Sequence, residues 1–151
     1  MIDYTKVKKV IGVGIGGGGM SYLAKFFHIL GVEISGSDIS ENGRVKELKK
    51  LGINIGKGNP AEPFAIDTDI YLYTNALSDE LKDQLKKMNP KITPVEVGEL
   101  NEQLISDYGS GKMTDKVKSA FEKSGISPLY RLDYSKVLQV RLAVRIRDLN
   151  T

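Results

Sequence analysis

Apolar residues recur along this chain with two alternating periods. Val7 to Val13 is a short apolar run ending in glycines, the pattern of a strand buried in a parallel sheet. From Gly17 the period lengthens, and Met20, Leu23, Ala24, Phe27 and Leu30 predict a helix with one apolar stripe and Gly31 as its C-terminal cap. Val32 to Ser37 reads as a second strand ending at Asp38. A helix from about Glu41 to Leu51 follows, with Val45, Leu48 and Leu51 inward and Gly52 as its stop. Ile53 to Ile55 is a short third strand, Gly56 to Pro63 a loop, and Ile70 to Thr74 a fourth strand. Ser78 can cap the next helix, whose first turn holds Asp79 and Glu80; Leu81, Leu85 and Met88 point inward, and the helix stops before Pro90. Ile92 to Val95 is a fifth strand, and Val97 to Tyr108 a helix with Leu100, Leu104 and Ile105 on one side.

This alternation predicts an α/β unit over 1–108, a Rossmann-like, doubly wound parallel sheet with helices on both faces. Residues 109–151 read as an appended segment. Gly109 to Lys112 is a turn, and Thr114 to Ser124 a helix capped by Thr114 and ended by Gly125. Val140, Leu142, Val144 and Ile146 then alternate with Arg141, Ala143, Arg145 and Arg147, the spacing of a strand with one basic face.

Composition narrows the function classes. With 151 residues, 40% hydrophobic and 27% charged, the chain has the make-up of a soluble globular protein of one ordinary domain. No leader-like segment and no apolar run long enough to span a bilayer is present, so a cytoplasmic location is expected. Zero cysteines exclude disulfides and thiolate metal sites, and a lone His28 argues against a histidine metal site. The net charge of +3 resides entirely in residues 131–151. That basic tail comes without a nucleic-acid-binding motif, and no nucleic-acid partner is expected.

The candidate chemistry lies in Gly14-Ile15-Gly16-Gly17-Gly18-Gly19-Met20-Ser21. Gly14, Gly16 and Gly19 satisfy G-x-G-x-x-G, between a predicted strand and an amphipathic helix. In such a loop the first glycine allows a tight turn, the second lets backbone approach a diphosphate, and the third lets the helix pack closely. The helix N-terminus then offers unpaired N–H groups and partial positive charge to phosphate oxygens. Asp38, nineteen residues beyond Gly19 at the end of the second strand, can accept hydrogen bonds from ribose hydroxyls. These residues point to a diphosphate and a ribose, and they leave NAD, a flavin and a UDP-sugar open.

The same residues carry a resemblance. Gly14 to Ser21, followed by Leu23-Ala24, resembles the G-I-G-G-x-G-M-S-x-L-A opening of the Mur ligase family in its muramate–alanine and muropeptide branches. Ser35-Gly36-Ser37-Asp38 is similar to the family's S-G-S-D, and Leu51-Gly52-Ile53 to its L-G-A/I turn. Gly58-Asn59-Pro60-Ala61-Glu62 resembles G-H-x-A-E, Thr74-Asn75-Ala76-Leu77 stands where the family has S-S-A-I, and Pro94-Val95 with Gly98-Glu99-Leu100 resembles P-V…A-E-M-L. The resemblance implies an N-terminal domain that binds UDP-N-acetylmuramate for peptidoglycan precursor synthesis. On that basis Gly16, Gly17, Gly18, Gly19, Met20 and Ser21 contact the diphosphate, Ser37 and Asp38 lie near the uridine, and 57–59 and 74–76 line the cleft. Two departures stand out: the family histidine is Asn59 and the serine pair is Thr74-Asn75.

A complete ligase of this kind activates the muramyl carboxylate with ATP and Mg²⁺ through a G-T-x-G-K-T-T loop. Gly109-Ser110-Gly111-Lys112-Met113-Thr114 imitates that loop without satisfying it, because Ser106 and Met113 stand where Gly and Ser/Thr are required. The expectation is a first domain, isolated or truncated, that binds its sugar nucleotide, holds no cofactor and has no catalytic residue of its own. An NAD-binding domain of an oxidoreductase or redox-sensing regulator is the alternative. Asp38 argues against NADP, whose 2′-phosphate it would repel, but not against NAD. His28, beside Phe26 and Phe27, reads as a packing or surface residue, Glu99 equally as a family position or a first-turn helix carboxylate, and Tyr71 and Tyr73 as sheet-face packing.

Overall fold

The computed structural model describes residues 2–57, 68–74 and 79–126, except the side chains of Leu81, Lys82, Leu85 and Met88. Of the loop expected from Gly56 to Pro63, Gly56 and Lys57 continue the third strand instead; its remainder, the expected strand over 140–147, and Asn59, Asn75 and Ser78 lie outside the described residues. So do the inward positions proposed for Leu81, Leu85 and Met88.

Five strands pair in one parallel sheet: β1 (Lys9–Val13), β2 (Glu33–Asp38), β3 (Asn54–Lys57), β4 (Ile70–Tyr73) and β5 (Thr93–Glu96). Their spatial order is β3-β2-β1-β4-β5, the doubly wound arrangement expected from the alternation. The helices are α1 (Gly18–Leu30), α2 (Gly43–Lys50), α3 (Asp79–Met88), α4 (Val97–Gly109) and α5 (Asp115–Ser124). β1→β2→β3 and β4→β5 run outward in opposite directions. Right-handed crossovers therefore set α3 on the face opposite α1 and α2.

The larger core lies on the α1 face. Val10 of β1, Ile34 of β2, Leu72 of β4 and Val95 of β5 meet Met20, Leu23, Ala24 and Phe27 of α1, Leu48 of α2, and Leu100 and Leu104 of α4. The predicted α1 stripe is thus inward, with Leu30 partly buried at its end. Gly31 ends α1 with φ 90°, and its N–H donates to the His28 carbonyl at 3.1 Å while Val32 N–H reaches back to Phe27 O at 2.9 Å. A residue with a Cβ resists that left-handed turn. A smaller cluster of Ile11, Tyr71 and Ile92 covers the other face, with Val13 and Tyr73 against it, so both tyrosines pack as the sequence suggested.

Several positions differ from expectation. α2 begins at Gly43 because Asn42 caps it, its side chain accepting from Val45 N–H at 3.0 Å. Leu51, expected inward, is 43% exposed. The helix ends at Lys50, and as the capping residue Leu51 turns away from the Val45–Leu48 stripe. α1 buries a second apolar side as well: Phe26 is inaccessible and packs edge-on to Tyr4 at 6.1 Å. Tyr4 belongs to a 3₁₀ turn, Tyr4–Lys6, which the sequence pattern did not indicate. Its hydroxyl donates to Asp107 of α4 at 2.9 Å, and Gln103 of α4 bonds both the N–H and the carbonyl of Ile2.

α5, expected from Thr114 to Ser124 and ended by Gly125, carries both predicted caps. Thr114 Oγ1 accepts from Val117 N–H at 3.4 Å, and Gly125 has φ 85°. Val117, Ala120 and Phe121 of this helix join the α1-face core, and Phe121 stacks on Tyr108 with centroids 4.6 Å apart. Among the described residues, no helix is long and apolar enough to cross a membrane.

Candidate nucleotide-binding site

The glycine loop leaves β1 at the point where the chain order reverses, with β2 on one side and β4 on the other. In open α/β sheets that crevice, beyond the carboxyl ends of the strands, is where ligands bind. Gly14 makes the turn in the left-handed region, φ 73°, and Gly17 N–H closes it onto Gly14 O at 2.9 Å. Gly14 and Ile15 N–H both donate to the Ser37 carbonyl, at 2.9 and 3.1 Å, which fastens the loop to the end of β2. Gly16 N–H donates to Asp38 Oδ2 at 2.8 Å.

Four of the loop's amides are thereby committed inside the protein. Ser21 N–H is the first α1 amide with a helical acceptor, Gly17 O at 2.8 Å. The N–H groups of Gly18, Gly19 and Met20 precede it in the first turn, where the i−4 carbonyls, those of Gly14, Ile15 and Gly16, lie outside the helix. No side chain among the described residues caps them either. Three converging donors with the positive end of a 13-residue helix behind them suit an anionic oxygen.

The sequence assigned Gly16 and Gly19 to ligand approach and to packing on the strand; the structure gives each a different neighbour. A Cβ on Gly16 would lie 2.5 Å from Val45 Cγ2 and 2.8 Å from Asp38 Oδ2, so Gly16 lets α2 and the end of β2 close on the loop. A Cβ on Gly19 would face α4, 3.2 Å from Val97 Cγ1. Met20 is a core side chain, 1% exposed, and only its backbone faces the cradle. Ser21 is buried and its hydroxyl donates to Gly18 O at 3.0 Å, tightening the first turn.

Asp38 stands at the rim, half-buried, its second oxygen accepting from Ser40 N–H at 2.9 Å. Ser37 is paired in register with Val13, which packs on the Tyr71 side of the sheet, so its side chain lies on the face away from α1. Its Oγ is buried without a hydrogen-bond partner among the described residues. Thr74 is exposed just past β4, on the same strand-end edge, and Lys57 ends β3 in register with Asp38. Glu99 is exposed in the first turn of α4; the residue capping that helix is Glu96, which accepts from Gly98 N–H at 3.1 Å. His28 is half-buried in the last turn of α1, remote from the loop along the helix.

Three residues at this edge escaped the sequence reading. Asn42 Nδ2 and Arg44 Nη1 approach the Gly16 carbonyl at 3.4 and 3.5 Å, and Ile39 beside Asp38 is 84% exposed. An apolar residue directly after the strand-end aspartate was the available signal for Ile39. Asn42 and Arg44 become visible only once α2 is known to start against the loop. A separate cleft of about 470 Å³, between Tyr4, Leu30, Thr114 and Lys116, opens at the opposite end of β1.

A family model described as the Mur ligase family, catalytic domain, matches residues 9–108, from the start of β1 to the last turn of α4. The chain belongs to the Mur ligase family. Two curated relatives are named UDP-N-acetylmuramate–L-alanine ligase. That of Lachnoclostridium phytofermentans is 42% identical over 79 residues, 52% of this chain and 17% of the relative. That of a Hydrogenobaculum species is 35% identical over 132 residues, 82% of this chain and 29% of the relative. The crystal structure of the UDP-N-acetylmuramate-alanine ligase of Thermotoga maritima superposes with a TM-score of 0.56 and 30% identity, over 66% of this chain and 23% of that one. The Mur ligase chain described here thus spans under a third of the length of these relatives.

Proposed function

We propose that this Mur ligase domain binds UDP-N-acetylmuramate as the sugar-nucleotide substrate of a muramate–amino-acid ligase in peptidoglycan precursor synthesis. The observation that carries the reading is the row of uncommitted amides at Gly18, Gly19 and Met20, at the switch point of the sheet, in a chain whose relatives are named for that substrate. The diphosphate sits on those amides. Asp38, one residue past the loop's anchor at Ser37, accepts from ribose hydroxyls with lone pairs its two backbone donors leave over. Ile39 offers an apolar surface to the uracil face, and Thr74, with Asn59 and Asn75, lines the rest of the cleft.

In this reading residues 1–151 bind and orient substrate. The ATP and Mg²⁺ of a ligase reaction are held elsewhere, since these residues include no G-x-x-x-x-G-K-[ST] loop. In this reading the domain acts on its sugar nucleotide in the cytoplasm.

At 16.6 kDa the chain suits amide-resolved titration by NMR. UDP-N-acetylmuramate and UDP should shift the amides of Gly18, Gly19, Met20 and Asp38, with NAD⁺ leaving them in place. A response to NAD⁺ and none to the uridine nucleotides would replace this reading with the dinucleotide-binding one. Silence from all three would dismiss a nucleotide site in this chain.

A further inference from the structure

We propose that Arg44 is a diphosphate-binding residue of this site, supplying a cationic side chain, which the glycine cradle itself lacks; the inference rests on the uridine-nucleotide reading above. α2 starts against the loop, with Asn42 both capping it and reaching the Gly16 carbonyl at 3.4 Å. The N-termini of α1 and α2 therefore converge on Gly16, and their positive ends add there. The first turn of α2 nevertheless holds no acidic residue; it carries Arg44 and Lys46 instead. Cations at a helix N-terminus oppose the helix dipole, so this placement works against the helix unless an anion sits between the two ends.

The described carboxylates nearby leave that role open. Asp38 accepts from Gly16 and Ser40 N–H, Glu41 pairs with Lys49 at 3.0 Å, and Glu47 pairs with Lys25 at 2.8 Å. Arg44 has no carboxylate within ion-pair distance among the described residues. Its Nη1 instead rests 3.5 Å from Gly16 O, a long contact that leaves the other guanidinium donors directed at the loop's surroundings or at solvent. A diphosphate on the Gly18–Met20 amides brings two acceptor-rich groups beside that guanidinium, whose planar fork suits phosphate oxygens. It also balances the Asp38 carboxylate, which otherwise lowers the cradle's affinity for an anion.

The test uses the full chain with Arg44→Gln and Arg44→Lys. Glutamine keeps an N–H donor for the Gly16 carbonyl and removes the charge; lysine keeps the charge without the fork. Arg44→Gln should weaken UDP binding about tenfold, the scale of one charge-assisted hydrogen bond, with Arg44→Lys between it and wild type. Uridine, which lacks phosphate, should bind both variants as it binds wild type. The UDP deficit should shrink as salt rises from about 0.01 M to about 1 M and the screening length falls from about 30 to about 3 Å. UDP binding by wild type and Arg44→Gln with equal affinity overturns the role of Arg44 alone. Equal losses for UDP and uridine reduce Arg44 to a support of the loop and also overturn it. Absence of UDP binding by wild type sinks the nucleotide reading, and this inference with it.

Discussion

Replacing Gly16 with alanine tests whether this glycine is required by the ligand or by the fold. The added Cβ would stand 2.5 Å from Val45 Cγ2, 2.8 Å from Asp38 Oδ2 and 3.2 Å from Asn42 Oδ1. Val45 is 1% exposed, so its methyl groups have no solvent to retreat into. Forcing an extra carbon into a packed site costs about 1–3 kcal/mol. The loop can relieve the clash only by lifting off α2, which gives up the Gly16 N–H bond to Asp38, a charged acceptor worth about 1.5–3 kcal/mol. One relief partly replaces the other, so the net loss should be about 2–4 kcal/mol, a large part of the about 5–15 kcal/mol that holds a domain folded. Val45→Ala alone should cost about 1.5–3 kcal/mol for two buried methyl groups and the space they leave. In the Gly16→Ala background that space accepts the new Cβ, and the double variant should be at least about 1 kcal/mol more stable than the two losses added. Urea unfolding of the four proteins, compared at constant slope, measures this. Additivity within about 0.5 kcal/mol, or a Gly16→Ala loss below about 0.5 kcal/mol, would refute the packing described.

Further outcomes follow from individual contacts. Asp38→Asn retains one acceptor for two backbone donors and should lower stability by about 1–2 kcal/mol in urea unfolding; an unchanged midpoint means that the carboxylate does not hold Gly16 and Ser40. Ser37→Ala removes a buried hydroxyl that has no partner, so stability should hold or rise; a loss above about 1 kcal/mol would show that the hydroxyl is bonded. Burial, then the Asp107 carboxylate, pushes the Tyr4 hydroxyl well above the ordinary phenol range. The folded state therefore favours its neutral form. That contribution is intact below the unfolded value of about 10 and declines as pH rises beyond it. Tyr4→Phe should flatten the alkaline fall in stability, with the remainder left to Tyr71, which burial also raises; equal slopes with and without the Tyr4 hydroxyl contradict the assignment.

The strand and helix order was legible because burial on the sheet imposes its period on the sequence. β1 runs apolar without alternation, α1 repeats at helical spacing, and Gly31 and Gly125 mark the left-handed stops. What escaped detection depends on partners distant along the chain. Phe26 lies off the α1 stripe, and only the return of the N-terminal turn, through Tyr4, explains its burial. α5 carries an apolar face with no neighbour nearby in sequence, and its place against α1 follows from Val117, Ala120 and Phe121 meeting there. The candidate site divides similarly. The turn at Gly14 and the strand-end aspartate can be read locally, whereas the commitment of the Gly16 amide to Asp38, and the approach of Arg44, exist only once β2 and α2 fold back on the loop.

The packing also bears on what a glycine fingerprint can establish. Gly14 is needed for a left-handed turn and Gly16 for the approach of Val45, and neither requirement refers to a ligand. Gly36 of β2 is more severely constrained, since a Cβ there would stand 2.2 Å from the Gly12 carbonyl of the neighbouring strand. Backbone atoms of a central strand cannot move aside for it. A chain of this fold that bound no nucleotide would therefore still need these glycines. Ile39 and Arg44 are placed at a cost to the fold. Ile39 leaves most of its apolar surface in water beside Asp38, and Arg44 holds a positive charge at the positive end of its own helix. Each placement is unfavourable in water and favourable beside a base and a diphosphate. Ile39, Arg44 and the three uncommitted amides therefore point to a ligand more strongly than the G-x-G-x-x-G glycines do.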